Sequence, residues 1–390
     1  MTAALEEALS PNLPNPSHEL VQVARGRRSG LAIILAIHST ALGPAAGGCR
    51  ITHYPDPAAA VADALRLAAA MTEKNALAGL EHGGAKAVVA LPRAARPVGA
   101  ERTALLHDLG DAIESLGGRY IAGPDIGSGP ADMSVIGERT VHVCCRPVEE
   151  GGSGDSSLHT ARGTLAALGA VAEEAFGSSE LAGRTFGVIG LGAVGAHVAR
   201  LLNRVGARLI VTDIDPATRS LAEELGATWV DPGDALAAEV DILVPAAFGG
   251  LLTARTVPRL RCAAVAGPAN NQLDEPATAR LLAARGILWA PDVVVSAGGV
   301  IHATGVELRR ESAEQLTKRL SRITATLRQV FHTARTRGTT PADAATELAG
   351  QRVRQGVPHP THGAMPPLTS RAARPGNTEP PTFNPPTKES

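Results

Sequence analysis

The chain has 390 residues, with 37 Lys and Arg against 38 Asp and Glu and a formal net charge of −1. That length allows two or three domains, each with its own core, and the near-neutral balance without a basic block excludes the electrostatic footprint of a nucleic-acid or anionic-membrane partner. With 44% hydrophobic residues but 2% aromatics, the core has to be built from Ala, Val, Leu and Ile. The four cysteines, Cys49, Cys144, Cys145 and Cys262, have no C-x-x-C spacing. The early acids of "MTAALEEALS" do not suit a signal peptide, and no apolar run reaches ~18 residues. A cytoplasmic protein with reduced thiols and no membrane span is expected.

In chain order, "GLAIILAIHS" predicts a strand and "ALGPAAGGCR" a glycine-rich loop. Asp56 and Pro57 then open an Ala-rich helix through about Thr72, with Asp as N-cap and Pro at the first helical position. Val61, Leu65, Ala68 and Ala69 fall on one face of it, and Lys74 is expected where it ends. Gly83, Gly84 and Ala85 read as a hinge ahead of Lys86 and of an apolar strand over 87–91. An amine at the mouth of such a strand is costly to desolvate. A second helix over about 101–116 leads through Gly117 and Gly118 into "RYIAGPDIG", a short strand closing on Asp125.

From about Glu180 the rhythm becomes strand, turn and helix, repeated: "RTFGVIG", "AVGAHVARLLNRV", "ARLIVTD", "PATRSLAEEL", "DILVPAA", "CAAVAG" and "ILWAPD". Short apolar runs alternating with helices imply a doubly wound parallel sheet covered on both faces. The segment from Gly356 is rich in Pro, Thr, Ser and Asn, which predicts a disordered tail.

Gly190, Gly192 and Gly195 form G-x-G-x-x-G in "VIGLGAVGAHV", with Ala193 and Val194 between the last two. The first glycine permits a tight turn, the second lets backbone approach a pyrophosphate, and the third lets the helix pack closely. Asp213 closes the next strand 23 residues after Gly190, where an acid binds a ribose 2′-hydroxyl and repels a 2′-phosphate. NAD rather than NADP is expected. Lys74, Lys86 and Asp125, each at the end of a predicted element, are the candidates for chemistry at a second site.

The segments "AIHSTALGPAAGGCR", "DALRLAAAMTEKNALAGLEHGGAKAVV", "SLGGRYIAGPDIG", "GLGAVG", "AGPANNQL" and "GILWAPDVVVSAGGVI" resemble, in order over about 29–355, the amino-acid dehydrogenases of the glutamate/leucine/phenylalanine/valine family. The valine and leucine enzymes are the nearest in pattern. The resemblance implies an α/β protein of two domains. One, for substrate binding and oligomerisation, covers 1–150 and is completed by about 334–355. The other, a Rossmann-type NAD-binding domain, covers 151–333, and a disordered Pro-rich tail follows over 356–390.

It also implies roles. Lys74 would bind the substrate α-carboxylate, Lys86 would activate water, and Asp125 would handle protons at the α-nitrogen. Gly47 and Gly48 would offer backbone to the substrate, and Ala46, Gly123, Val300 and Ala303 would line its side-chain pocket. Three of those four are smaller than leucine-type enzymes usually carry. Asn270 or Asn271 would contact the nicotinamide end, and Thr160 would lie near the cofactor. Ser128 stands where the family often has threonine, and Pro130 is unusual there.

The implied activity is NAD-dependent, reversible oxidative deamination of a branched-chain or other apolar L-amino acid to the 2-oxo acid and ammonia, by a homo-oligomer. Two alternatives stay open: a phenylalanine-type enzyme for bulky side chains, and a catalytically idle, nucleotide-binding regulatory homologue. A 2-hydroxy-acid dehydrogenase lacks its usual His/Arg pair here. The scattered His38, His53, His82 and His142 have no metal-ligand spacing, so no metal is expected.

Overall fold

The computed structural model describes residues 18–92 and 95–356. The expected tail lies outside the described residues from 357 onward.

The first sheet is built from β1 (Leu20–Arg25), β2 (Ala32–Ser39), β3 (Ala45–His53), β4 (Gly84–Leu91) and β5 (Tyr120–Pro124) in the order β1-β2-β4-β3-β5. β2 runs antiparallel to β1 and β4, whereas β3 is parallel to both β4 and β5. The expected glycine-rich loop over 41–50 is therefore largely wrong: from Ala45 it is a strand in the interior of the sheet. Its glycines serve close approach. A Cβ on Gly47 would lie 1.8 Å from the Ala85 carbonyl oxygen, and one on Gly84 would lie 2.0 Å from the Thr72 nitrogen. Strand and helix thus meet where no side chain intervenes.

That helix, α1 (Pro57–Leu77), starts as its sequence predicts, with the Asp56 side chain accepting from the Ala59 N–H. It runs past Thr72, so Lys74 belongs to its last turn. The other helices on this side are α2 (Gly99–Glu114) and α3 (Pro130–Gly137). Pro130 is the first residue of α3, where a missing N–H costs nothing, which accounts for its place after Gly129.

The chain crosses to the second half through α4 (Ser157–Phe176). There β6 (Thr185–Ile189), α5 (Ala193–Arg204), β7 (Arg208–Thr212), α6 (Arg219–Glu224), β8 (Thr228–Trp229), β9 (Ile242–Pro245) and β10 (Ala264–Val265) follow one another, before α7 (Thr278–Ala284) and β11 (Leu288–Trp289). The six strands lie in the order β11-β10-β9-β6-β7-β8, every pair parallel. That is the doubly wound order, with its switch point between β6 and β9, where ligands bind at the strands' carboxyl ends.

Two short helices, α8 (Asp292–Val295) and α9 (Gly298–Ala303), precede a π-helical turn over Thr304–Leu308. Last come α10 (Ala313–Leu320), α11 (Arg322–Arg337) and α12 (Pro341–Gln355). α12 returns to α1: one Arg352 Nη donates to the Ala76 and Leu77 carbonyls at 3.0 and 2.8 Å, and Thr346 donates to Glu73. The orphan carbonyls of the end of α1 are satisfied in this way. A single buried cluster joins Ala76 and Leu77 of α1 to Leu168 of α4, Val188 of β6 and Phe331 of α11.

Candidate active site

β3 sets the floor. Period-two alternation puts Gly48 and Arg50 on one face of it, between β4, which carries Lys86, and the end of β5, which carries Asp125. Lys86 lies inside β4, opposite Ala36 of β2, and is 5% exposed. Its Nζ is 2.8 Å from Asp125 Oδ2. A Cβ on Gly48 would sit 2.8 Å from Asp125 Cβ and 3.2 Å from Lys86 Nζ, so glycine there is what lets the pair form beside bare backbone.

Asp125 leaves β5 into a turn closed by Ser128, whose hydroxyl accepts from the Asp125 N–H at 3.0 Å and donates to the Cys49 carbonyl at 2.6 Å. Arg50 donates to Asp125 Oδ2 at 2.8 Å as well. Burial pushes the Asp125 carboxyl up, but the charges and hydrogen bonds of Lys86 and Arg50 outweigh it and hold it well below the usual carboxylate range.

Lys74 projects from α1 across to the second half, where its Nζ donates to Asn270 Oδ1 at 2.6 Å. Desolvation pushes its ammonium down to about 8, Lys86 adds to that, and the carboxylates of Asp292 and Asp125 oppose it. The neighbouring Asn75 is fully buried and ties α1 to the glycine approach, donating to the Gly83 and Ala46 carbonyls at 2.6 and 3.3 Å.

At the switch point Gly190 has φ +102°, and a Cβ there would meet Ala247 at 2.8 Å. A Cβ on Gly195 would come 1.9 Å from the Gly190 carbonyl oxygen. Gly192 is different: a Cβ there would find no atom within 4 Å. The turn is thus tight at its first and third glycines and open at the second, with Ala193 and Val194 starting α5 behind it. A pyrophosphate needs that open approach and that helix N-terminus. Asp213 stands beside the turn, accepting from the Leu191 N–H at 2.5 Å.

Between the two halves lies a cavity of about 1090 Å³, lined by Arg50 and Asp125 on one side and by Val194, Phe248, Asn270 and Asn271 on the other. Thr160 of α4 lies against Gly299, where a Cβ would be 2.6 Å from its Oγ1. Of the expected side-chain pocket, Gly123 and Ala303 converge: Ala303 belongs to a cluster with Ile121, Cys144 and Cys145, and Cys144 Sγ would be 3.4 Å from a Cβ on Gly123. Ala46 is buried in β3, paired with Ile121. Val300 packs instead on the large cluster of the second half.

The residue pattern by itself did not single out Arg50, Asp292 or the Cys144–Cys145 pair. Arg50 was hidden by taking β3 as a loop, since only strand alternation aligns it with Gly48. Asp292 is buried at the start of α8, accepting from the Gln272 and Val293 N–H groups, which fastens the loop that carries Asn270.

A dinucleotide turn on a doubly wound sheet, facing a buried lysine–aspartate pair across a cleft, defines a nucleotide-dependent dehydrogenase. The sequence matches the descriptions "Glu/Leu/Phe/Val dehydrogenase, dimerisation domain" over 18–142 and "Glutamate/Leucine/Phenylalanine/Valine dehydrogenase" over 210–357. Residues 157–250 also match the NAD-binding domain of D-isomer specific 2-hydroxyacid dehydrogenases. A valine dehydrogenase of Streptomyces albus is 42% identical over 86% of this chain and 92% of its own, and a leucine dehydrogenase of Geobacillus stearothermophilus is 40% identical over 86% and 90%. The crystal structure of L-tryptophan dehydrogenase from Nostoc punctiforme superposes with a TM-score of 0.73, at 35% identity over 87% of this chain and 96% of that one. The chain belongs to the Glu/Leu/Phe/Val dehydrogenase family. It is an amino-acid dehydrogenase, and its cofactor is NAD.

Proposed function

We propose that the chain catalyses the reversible oxidative deamination of an apolar, branched-chain L-amino acid to its 2-oxo acid and ammonia. The observation that carries this assignment is the buried contact of 2.8 Å between Lys86 and Asp125, set beside the bare backbone of Gly48.

Lys74 holds the substrate α-carboxylate, giving up its bond to Asn270 or sharing it. Gly190, Gly192, Ala193, Val194, Gly195 and Asp213 would hold NAD, with Thr160, Asn270 and Asn271 at its nicotinamide end, and the cofactor would supply the acceptor for the hydride from Cα. Lys86 takes a proton from the water that attacks the resulting iminium, and Asp125 passes protons to and from the α-nitrogen until ammonia leaves. A proton can move along the Lys86–Asp125 contact without crossing solvent. General acid–base groups so placed supply rate factors of roughly 10²–10⁴ each, and enclosure in the cleft keeps competing water out.

Branched aliphatic side chains come first because relatives named valine and leucine dehydrogenase cover most of the chain. The small residues Ala46, Gly123 and Ala303 favour a second reading, a pocket for phenylalanine or another bulky side chain. The division into a substrate and oligomerisation domain over 1–150, completed by about 334–355, and an NAD domain over 151–333 belongs to the same proposal. It is supported by the two separate sheets and by the return of α12 to α1. So does a homo-oligomer, supported by the match to a dimerisation domain. Cytoplasmic residence is supported by four unpaired cysteines, and no helix among the described residues is long and apolar enough to cross a membrane.

A panel of L-amino acids with NAD at alkaline pH, followed by NADH absorbance, tests the assignment. Turnover greatest with valine or leucine is expected. Preference for phenylalanine would establish the second reading, and NAD binding without turnover on every amino acid would make the chain an idle homologue.

A further inference from the structure

Asp125 receives both of its cations on one oxygen. Lys86 Nζ and Arg50 Nε each lie 2.8 Å from Oδ2, and among the described residues none donates to Oδ1. Arg50 does not reach this oxygen alone. Its Nη1 is bound 2.9 Å from Asp63 Oδ2, and Asp63 in turn accepts from the Tyr54 hydroxyl at 2.7 Å and pairs with Arg66 at 2.5 Å. The side chains of Arg50, Asp63 and Asp125 are 11%, 14% and 15% exposed, so the chain of contacts is sheltered. A planar guanidinium clamped at both ends has one orientation, which an ammonium on a flexible stem does not.

Resting on the assignment of Asp125 as the acid/base, we propose that Arg50 is a positioning residue of the reaction: with Lys86 it occupies Oδ2 of Asp125, leaving Oδ1 as the oxygen that exchanges protons with the substrate nitrogen. Oδ1 takes a proton from the α-ammonium before hydride leaves Cα. It returns that proton to the nitrogen of the water adduct; the C–N bond then breaks, ammonia departs, the C=O bond forms as the hydroxyl proton passes to Lys86, once that amine has shed the proton it took from water, and the carboxylate ends as it began. Asp63 and Tyr54 act one step further out by fixing the guanidinium plane. The groups facing Asp125 are Lys86 from β4, Arg50 and the Cys49 thiol from β3 and Lys74 from α1, with Tyr120 of β5 beneath and Asp63 and Arg66 beyond Arg50. Removing Arg50 takes one of the two cations in contact with the carboxyl, so Asp125 is protonated at a higher pH.

The experiment compares R50Q, R50K, D63N and D125N with wild type in kcat and KM for L-valine, with NAD affinity from fluorescence titration and Tm as controls. For R50Q, kcat falls about 10²-fold, the scale of one general acid–base contribution, while KM for L-valine and NAD affinity hold. R50K restores the charge but not the clamp, so kcat recovers only part of the loss. D63N keeps the charge of Arg50 and loosens its clamp, so kcat falls by less. If R50Q keeps wild-type kcat while D125N is inactive, Arg50 has no such role although Asp125 does. If D125N turns over like wild type, it is the assignment of Asp125 that fails. Should R50Q fail to fold, D63N decides: an unchanged kcat there overturns the proposal.

Discussion

Gly48→Ala is the most direct perturbation of the proposed site, because it inserts one methyl group between two groups without altering either. Gly48 has no positive φ among the backbone angles, so alanine meets no conformational penalty, only space. The new Cβ would stand 2.8 Å from Asp125 Cβ, 2.8 Å from the Pro124 carbonyl oxygen and 3.2 Å from Lys86 Nζ. Against an ordinary contact of 3.4 Å the first two are short by 3.4 − 2.8, or about 0.6 Å. β3 is pinned between β4 and β5 by parallel ladders, so relief has to come from the Asp125 turn. Overpacking of this kind costs about 1–3 kcal/mol of stability, and a misplacement approaching 1 Å costs about 10²-fold in turnover. The assay is kcat for NADH formation from L-valine, with NAD affinity and Tm measured on the same preparation. A Tm lowered by only a few degrees, NAD affinity unchanged and kcat down about 10²-fold are expected. Wild-type kcat would show that the approach of Lys86 to Asp125 over Gly48 does not govern the chemistry.

Lys86→Ala removes the proposed base, and turnover should fall by at least about 10³-fold while NAD still binds; retention of kcat in steady-state assays would rule Lys86 out. Asp213→Ala loses both the proposed ribose contact and the bond to the Leu191 N–H, so kcat/KM for NAD should drop about tenfold or more relative to NADP, as for a charged hydrogen bond. An unchanged ratio of the two cofactors removes the reason for Asp213. Gly195→Ala drives a Cβ to 1.9 Å from a backbone oxygen that cannot step aside, so nucleotide affinity should collapse in fluorescence titration. Finally, Lys74 loses its proton near pH 8, below its ordinary value. Raising the pH through about 8 discharges it, so affinity for the 2-oxo acid, which has no amine of its own to titrate, should weaken from pH 7 to 9.5. A flat titration over that range means that Lys74 does not hold the carboxylate.

Much of the second half was legible because local rules and tertiary demands agree there. Each short apolar run became a parallel strand, and the first and third glycines of 190–195 stand in the tight turn and the close packing expected of them. The first half was harder. "ALGPAAGGCR" has the composition of a loop, and it is a strand because β4 and β5 flank it and leave no room for side chains at Gly47 and Gly48. That tertiary constraint overrides the low strand propensity of glycine. Lys86 reads as preceding its strand for the same reason, since Gly83 and Gly84 look like a hinge whereas Gly84 already begins the ladder. β1 and α3 were missed outright: β1 is an edge strand with mixed burial, and α3 is eight residues long behind Gly129 and Pro130. The assembly of Arg50, Asp63 and Tyr54 around Asp125 depends on residues up to 75 positions apart, which no local pattern encodes.

The glycine floor divides the site into parts that can change and parts that cannot. At 47 a single added carbon collides with main chain, and at 48 it also displaces the acid, so variation there costs turnover even where the sheet survives. At 123 the same carbon would rest in ordinary contact with a sulfur atom, and Ala303 looks onto that same wall. Under the proposed pocket, new substrates would therefore be acquired at its rim while the proton machinery beneath stays untouched, a separation that makes this scaffold suited to retuning by directed evolution.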